Sequence, residues 1–190
     1  MTVGGAARPE RVLVMCTANQ CRSVLGAALL RRRIAERGLT VEVLSAGLLE
    51  SGQPATAPTV EAAAAVGLDL RGHLSRTVGA DLLEGADLVV GMERRHVREA
   101  VVLRPEVWRY AFTLRELVRR AELIDPRPVG EPLRVFCGIL GAGRDRAGLM
   151  GASTEDDVRD PTHDVTVDHA DTIAEIDDLV GRMVDRLWPA

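Results

Sequence analysis

One stretch, Arg11-Val-Leu-Val-Met-Cys-Thr-Ala-Asn-Gln-Cys-Arg-Ser23, constrains this chain more than any other. A short apolar, β-rich run over residues 12–15 delivers Cys16. Five residues separate Cys16 from Arg22, and Ser23 follows directly. A helical pattern then begins with Leu25, Ala28, Leu29, Arg32 and Arg33. Strand, loop, helix is the layout of an anion cradle: a loop winding into a helix N-terminus aims backbone N–H groups at one point, and the helix dipole adds positive potential there. The same N–H groups favour the thiolate form of a cysteine at the base of the loop. The planar guanidinium of Arg22 offers a fork for two phosphate oxygens. A cysteine in a buried strand is more commonly a small core hydrophobe, and Cys-x5-Arg alone occurs by chance. The strand before it, the helix after it and Ser23 beside Arg22 favour a nucleophile in an anion site.

The chain has 190 residues, enough for one domain with a full core. With 46% hydrophobic and 27% charged residues it reads as an ordinary globular protein. A net charge of -4 gives no sign of a nucleic-acid or membrane partner. No apolar run approaches the ~18 residues that span a bilayer, and residues 1–10 lack the pattern of a signal peptide and read as a disordered lead-in. Cys16, Cys21 and Cys137 are too few for a disulfide framework and suit a reducing cytoplasm.

Strand and helix patterns alternate. Strands are expected at residues 11–16, 41–44, 86–91 and 107–112, and helices at 23–37, 56–66, 94–102, 114–123 and 171–188. Alternation of this kind implies an α/β fold: a four-stranded parallel sheet with helices on both faces, and ligands at the C-terminal strand ends, where the Cys16 loop lies. Residues 11–190 read as a single domain. The section from about 125 to 158 is atypical, rich in proline and glycine, with a short helix around Leu133, Phe136, Cys137 and Leu140. Trp108 and Tyr110 alternate on the fourth strand. His96 and His169 read as surface residues, His163 as a solvated loop residue, and Cys137 as a packing residue.

A phosphate monoester needs a proton for its leaving oxygen. Asp160, stiffened by Pro161 and placed before the last helix, is the candidate donor, although Asp-Pro is usually turn chemistry alone.

Cys16-Thr-Ala-Asn-Gln-Cys-Arg-Ser23, Ser45-Ala-Gly47, Gly72-His73, Asp87-Leu-Val-Val-Gly-Met92, Phe112-Thr-Leu-Arg-Glu116 and Asp160-Pro161 resemble, in order and spacing, the low-molecular-weight protein tyrosine phosphatases. The resemblance covers about residues 11–188. It implies a cysteine-dependent phosphatase acting through a phosphocysteine, with Cys16 as nucleophile, Arg22 and the loop Thr17, Ala18, Asn19, Gln20, Cys21, Arg22 and Ser23 holding the phosphate, and Asp160 as acid and then base. It further implies that Ser23 supports the Cys16 sulfur. Asn19 takes a strained conformation held from Ser45 and His73, and Cys21 forms a reversible disulfide with Cys16. Neither metal nor cofactor is implied; the partners are a phosphorylated protein or small phosphomonoester and phosphate-like anions.

The chain also departs from that pattern. Ala18 stands where glycine is usual, and Val24 where proline is common. Residues 48–51 and the pair Thr162 and His163 lack the aromatic side chains that sandwich a phenyl ring. Gln20 is polar where tyrosine-specific members carry an apolar residue and phosphoarginine phosphatases carry threonine. Phosphoarginine hydrolysis, arsenate reduction in the same cradle and a catalytically weakened phosphate-binding protein are therefore the alternatives to phosphotyrosine hydrolysis.

Overall fold

The computed structural model describes residues 8–189 apart from 163 and 165. Most of the expected lead-in, and His163, fall outside them. Glu10 opens the first strand, and Arg8 forms a paired ion contact with Asp87.

Strand β1 (Glu10–Cys16) leads into helix α1 (Arg22–Glu36) and strand β2 (Val41–Gly47). Helices α2 (Ala57–Ala65) and α3 (Ala80–Gly85) precede strand β3 (Leu88–Gly91). Helix α4 (Arg94–Leu103), strand β4 (Ala111–Thr113), helix α5 (Leu114–Ala121), helix α6 (Leu133–Leu140) and helix α7 (His169–Leu187) complete the order. The sheet is parallel in the order β2-β1-β3-β4. β1 is fully buried from Val12 to Cys16, as its apolar run requires. Because crossovers are right-handed, the move from β1 to β2 and the opposite move from β2 to β3 place α1 and α3 on opposite faces. Helix α7 packs against α1 and α5, and its buried stripe is Ile173, Ile176, Leu179, Val180, Met183, Val184 and Leu187. The chain reverses direction across the sheet between β1 and β3, so the loops after these two strands meet at a topological switch point.

The fourth strand is shorter and later than the sequence pattern suggests. Pro105–Arg109 forms a 3-10 turn, and only Ala111–Thr113 pairs with β3. Trp108 is thus on that turn and not on a strand. Its indole face is covered by Arg144, whose guanidinium carbon lies 4.0 Å from the Trp108 ring centroid and 4.2 Å from that of Phe112. Arg144 also grips both carboxylate oxygens of Glu116, at 2.8 and 3.1 Å, and donates to the Trp108 carbonyl.

Arg144 thereby fastens the section around 125–158 to the body of the fold. Its side chain is 2% exposed. Arg144→Met removes the bidentate pair and the ring contacts while Arg120 still pairs with Glu116 at 3.0 Å, so it is expected to cost about 2–3 kcal/mol, read by chemical denaturation. The short helix expected in this section is α6, with Leu133, Phe136, Cys137 and Leu140 buried. Further along, Asp157 accepts from the N–H of Arg94 at the start of α4, and the Val158 N–H donates to the carbonyl of Met92 just past β3.

Candidate active site

The loop after β1 is shaped from outside. Asn19 has φ of 54°, a left-handed conformation that asparagine tolerates better than most residues. The His73 Nε2–H donates to the Asn19 carbonyl at 2.7 Å, and the Arg76 backbone N–H donates to Asn19 Oδ1 at 2.9 Å. The Thr17 carbonyl accepts from Leu48 and Leu49. Gly47 is what lets the loop come so close. A Cβ there would stand 2.7 Å from Asn19 N and from Thr17 O, both backbone atoms. Of the two residues expected to support Asn19, His73 does so; Ser45 does not. It sits on β2 opposite Val14, and the second bond comes from Arg76.

With Oδ1 of Asn19 fixed as an acceptor, its amide donates from Nδ2 to Ser23 Oγ at 2.9 Å. The single Ser23 proton is then available for Cys16 Sγ, also 2.9 Å away. A chain of donors thus runs from Arg76 through Asn19 and Ser23 to the sulfur. The first bond belonging to α1 joins Leu25 N–H to the Cys21 carbonyl, so the N–H groups before it take partners from outside the helix. Cys16, Thr17, Ala18, Gln20, Cys21, Arg22, Thr56, Asp160 and Thr162 line a cavity of about 170 Å³. Its described lining contains no aromatic side chain. Burial pushes the Cys21 thiol up to about 11, which keeps it protonated at neutral pH.

Arg22 is 1% exposed and engages two carboxylates. Its Nη2 lies 2.6 Å from Asp160 Oδ2, its Nη1 donates to the Val158 carbonyl at 2.9 Å, and the same Nη1 pairs closely with Glu93. Asp160 is held in turn by Thr162, whose hydroxyl and N–H both donate to Oδ1. Asp160 is therefore brought to the loop from 138 residues away. The anchor is the 157–158 segment, bonded to the ends of α4 and β3.

Glu93 is a site residue that sequence reasoning missed, and His96 was misplaced. His96 is fully buried, not on the surface. Its Nδ1 accepts the Glu93 backbone N–H at 3.0 Å, and its Nε2 faces Thr17 Oγ1 at 3.1 Å. Burial, with Arg22 and Arg95 nearby, lowers its pKa to about 2, so it is neutral. The signal available in the sequence was position: Met92-Glu93 directly follows a buried strand, and the C-terminal ends of such strands carry the site.

A family model described as low molecular weight phosphotyrosine protein phosphatase matches residues 11–135. The chain is 34% identical over 116 residues to the low molecular weight protein-tyrosine-phosphatase Etp of Escherichia coli K12, covering 60% of this chain and 76% of that one. It is also 34% identical over 121 residues to the protein-arginine-phosphatase of Bacillus subtilis strain 168, covering 60% and 78%. The crystal structure of a low molecular weight protein tyrosine phosphatase from T. tengcongensis superposes with a TM-score of 0.69 at 26% identity, covering 94% of this chain and 99% of that chain. The matched sequence holds the whole of the Cys16 loop and Glu93, and the chain belongs to the low molecular weight phosphotyrosine protein phosphatase family, a family of cysteine-dependent hydrolases.

Proposed function

We propose that this chain hydrolyses phosphorylated protein side chains through a phosphocysteine on Cys16. The observation that carries the reading is the directed donor chain ending at Cys16 Sγ, with the Arg22 fork and the Asp160 carboxylate lining the same cavity. The thiolate attacks phosphorus, the P–O bond to the leaving group breaks, and Arg22 with the loop N–H groups takes up the charge on the equatorial oxygens. Asp160 gives its proton to the leaving oxygen. It then accepts one from the water that cleaves the P–S bond, releasing inorganic phosphate and restoring the thiolate.

Asp160 is bound to Arg22. A phosphate dianion competes for the same guanidinium, and the displaced Asp160 carboxyl then faces negative charge, which favours the protonated form an acid needs. Glu93 stays on the other nitrogen and keeps the fork in plane.

Phosphotyrosine is the first reading of the substrate. The polar lining contributed by Gln20, Thr56 and Thr162 favours a second, phosphoarginine, whose leaving group hydrogen-bonds where a phenyl ring would stack. Steady-state hydrolysis of a phosphotyrosine peptide and a phosphoarginine peptide of matched sequence tests this. A kcat/KM at least ~10-fold higher for one of them, a difference of 1.4 kcal/mol in transition-state binding, assigns the substrate. Failure to hydrolyse either would remove the protein-phosphatase reading. We propose a redox role for Cys21: after a hydroperoxide oxidises Cys16 to the sulfenic acid, the Cys21 thiol loses its proton and the thiolate displaces hydroxide from the Cys16 sulfur to form the disulfide, a step its raised pKa makes slow at neutral pH. The setting for all of this is the cytoplasm.

A further inference from the structure

We infer that the Thr17 side chain, not only its backbone, is a substrate-contacting group: His96 and Arg95 together turn its hydroxyl into a donor aimed into the Cys16 cavity. The inference rests on the phosphatase reading and adds a residue to it.

The argument begins at His96. A backbone N–H can only donate, so the bond from Glu93 N–H makes Nδ1 of His96 an acceptor. The buried ring is neutral and carries its one proton on Nε2. Nε2–H therefore donates to Thr17 Oγ1. Arg95 Nη2 donates to the same oxygen at 2.6 Å. A guanidinium has no acceptor, so this direction is also fixed. A hydroxyl oxygen accepts two hydrogen bonds, and both places are now filled. What remains is the hydroxyl hydrogen, in the third tetrahedral position; Thr17 lines the cavity that holds Cys16, Arg22 and Asp160 and also the adjoining pocket formed with Glu93, Arg95 and Asp160. The acceptor that enters the Cys16 cavity during the reaction is a phosphoryl oxygen. Two donors onto one hydroxyl also polarise it, strengthening the bond it makes in turn.

His96 also caps helix α4 through the Glu93 N–H, and Arg95 also pairs with Glu93 at 2.7 Å, so both donors to Thr17 are held in place by contacts of their own.

The test measures inhibition by inorganic phosphate and turnover of para-nitrophenyl phosphate in Thr17→Val, Thr17→Ser, His96→Leu and the Thr17→Val/His96→Leu double variant. A hydrogen bond to a charged group is worth enough that Thr17→Val should weaken phosphate inhibition and lower kcat/KM by about 10-fold. Thr17→Ser keeps the hydroxyl and should recover most of what Thr17→Val loses. His96→Leu leaves the hydroxyl in place but undirected, so its loss should be smaller than that of Thr17→Val, and it should add nothing in the double variant. Wild-type phosphate inhibition in Thr17→Val overturns the proposal. So do equal losses in Thr17→Val and His96→Leu accompanied by lowered melting temperatures, the signature of a clip that only holds the loop. Should His96→Leu fail to fold, the two Thr17 variants decide alone. A wild-type protein that binds phosphate without turning over para-nitrophenyl phosphate sinks the phosphatase reading, and its phosphate affinity still decides the role of Thr17.

Discussion

Arg22→Lys is expected to lower kcat/KM for para-nitrophenyl phosphate by about 10²–10³-fold, the loss seen when one preorganised donor to a developing charge is removed. Charge is conserved in this substitution, so the loss measures geometry. The guanidinium serves Glu93 and the Val158 carbonyl from Nη1 and Asp160 from Nη2, all at once and in one plane. An ammonium is a point donor on a flexible stem and cannot hold both directions. Arg22→Met should go further. It removes the cation that the Glu93 and Asp160 carboxylates, 17% and 14% exposed, share, while Arg95 stays on Glu93, and should cost stability as well as activity. An Arg22→Lys enzyme within a few-fold of wild type would mean that the fork is not where the phosphoryl charge is held.

The second large effect is at Asp160. Asp160→Asn keeps the size of the side chain and removes the transferable proton, and should lower kcat by about 10²–10⁴-fold for phenyl phosphate, whose leaving group needs protonation. The loss should be smaller for para-nitrophenyl phosphate, whose leaving group departs as an anion. Inhibition by inorganic phosphate should hold or strengthen, because the neutral amide no longer competes for Arg22. Equal losses on both substrates would show that Asp160 only shapes the loop. Weakened phosphate inhibition would contradict the competition between Asp160 and phosphate.

Much of this site was legible in the sequence because its centre is local. The residues from Cys16 to Ser23 are contiguous, and the strand before them and the helix after them dictate where the N–H groups point. The parallel sheet followed from alternating patterns, and the stripe from Ile173 to Leu187 marked α7 directly. What stayed hidden depends on strand order. Glu93 and His96 reach Arg22 and Thr17 only because β3 lies beside β1, which no local pattern reports. His96 looked solvated because histidine next to three arginines, Arg94, Arg95 and Arg98, reads as a charged helix face; burial of that one side chain is a tertiary fact. The misreading of Trp108 has a different cause. Val107, Trp108 and Tyr110 carry strand propensity, but Pro105 supports a 3-10 start and the indole is held by Arg144, from a segment distant in sequence. Ser45 failed as a support for Asn19 because a backbone N–H, that of Arg76, does the same work, and backbone donors leave no mark in a residue pattern.

The central claim is that the phosphoryl group passes through Cys16. Rapid acid quench of the Asp160→Asn enzyme during turnover of para-nitrophenyl phosphate, followed by peptide mass mapping, tests it most directly. One phosphoryl group on the peptide carrying Cys16, absent from Cys16→Ala, together with loss of turnover in Cys16→Ala, is the predicted result. A phosphoryl group on any other residue, or turnover that survives in Cys16→Ala, would contradict the account.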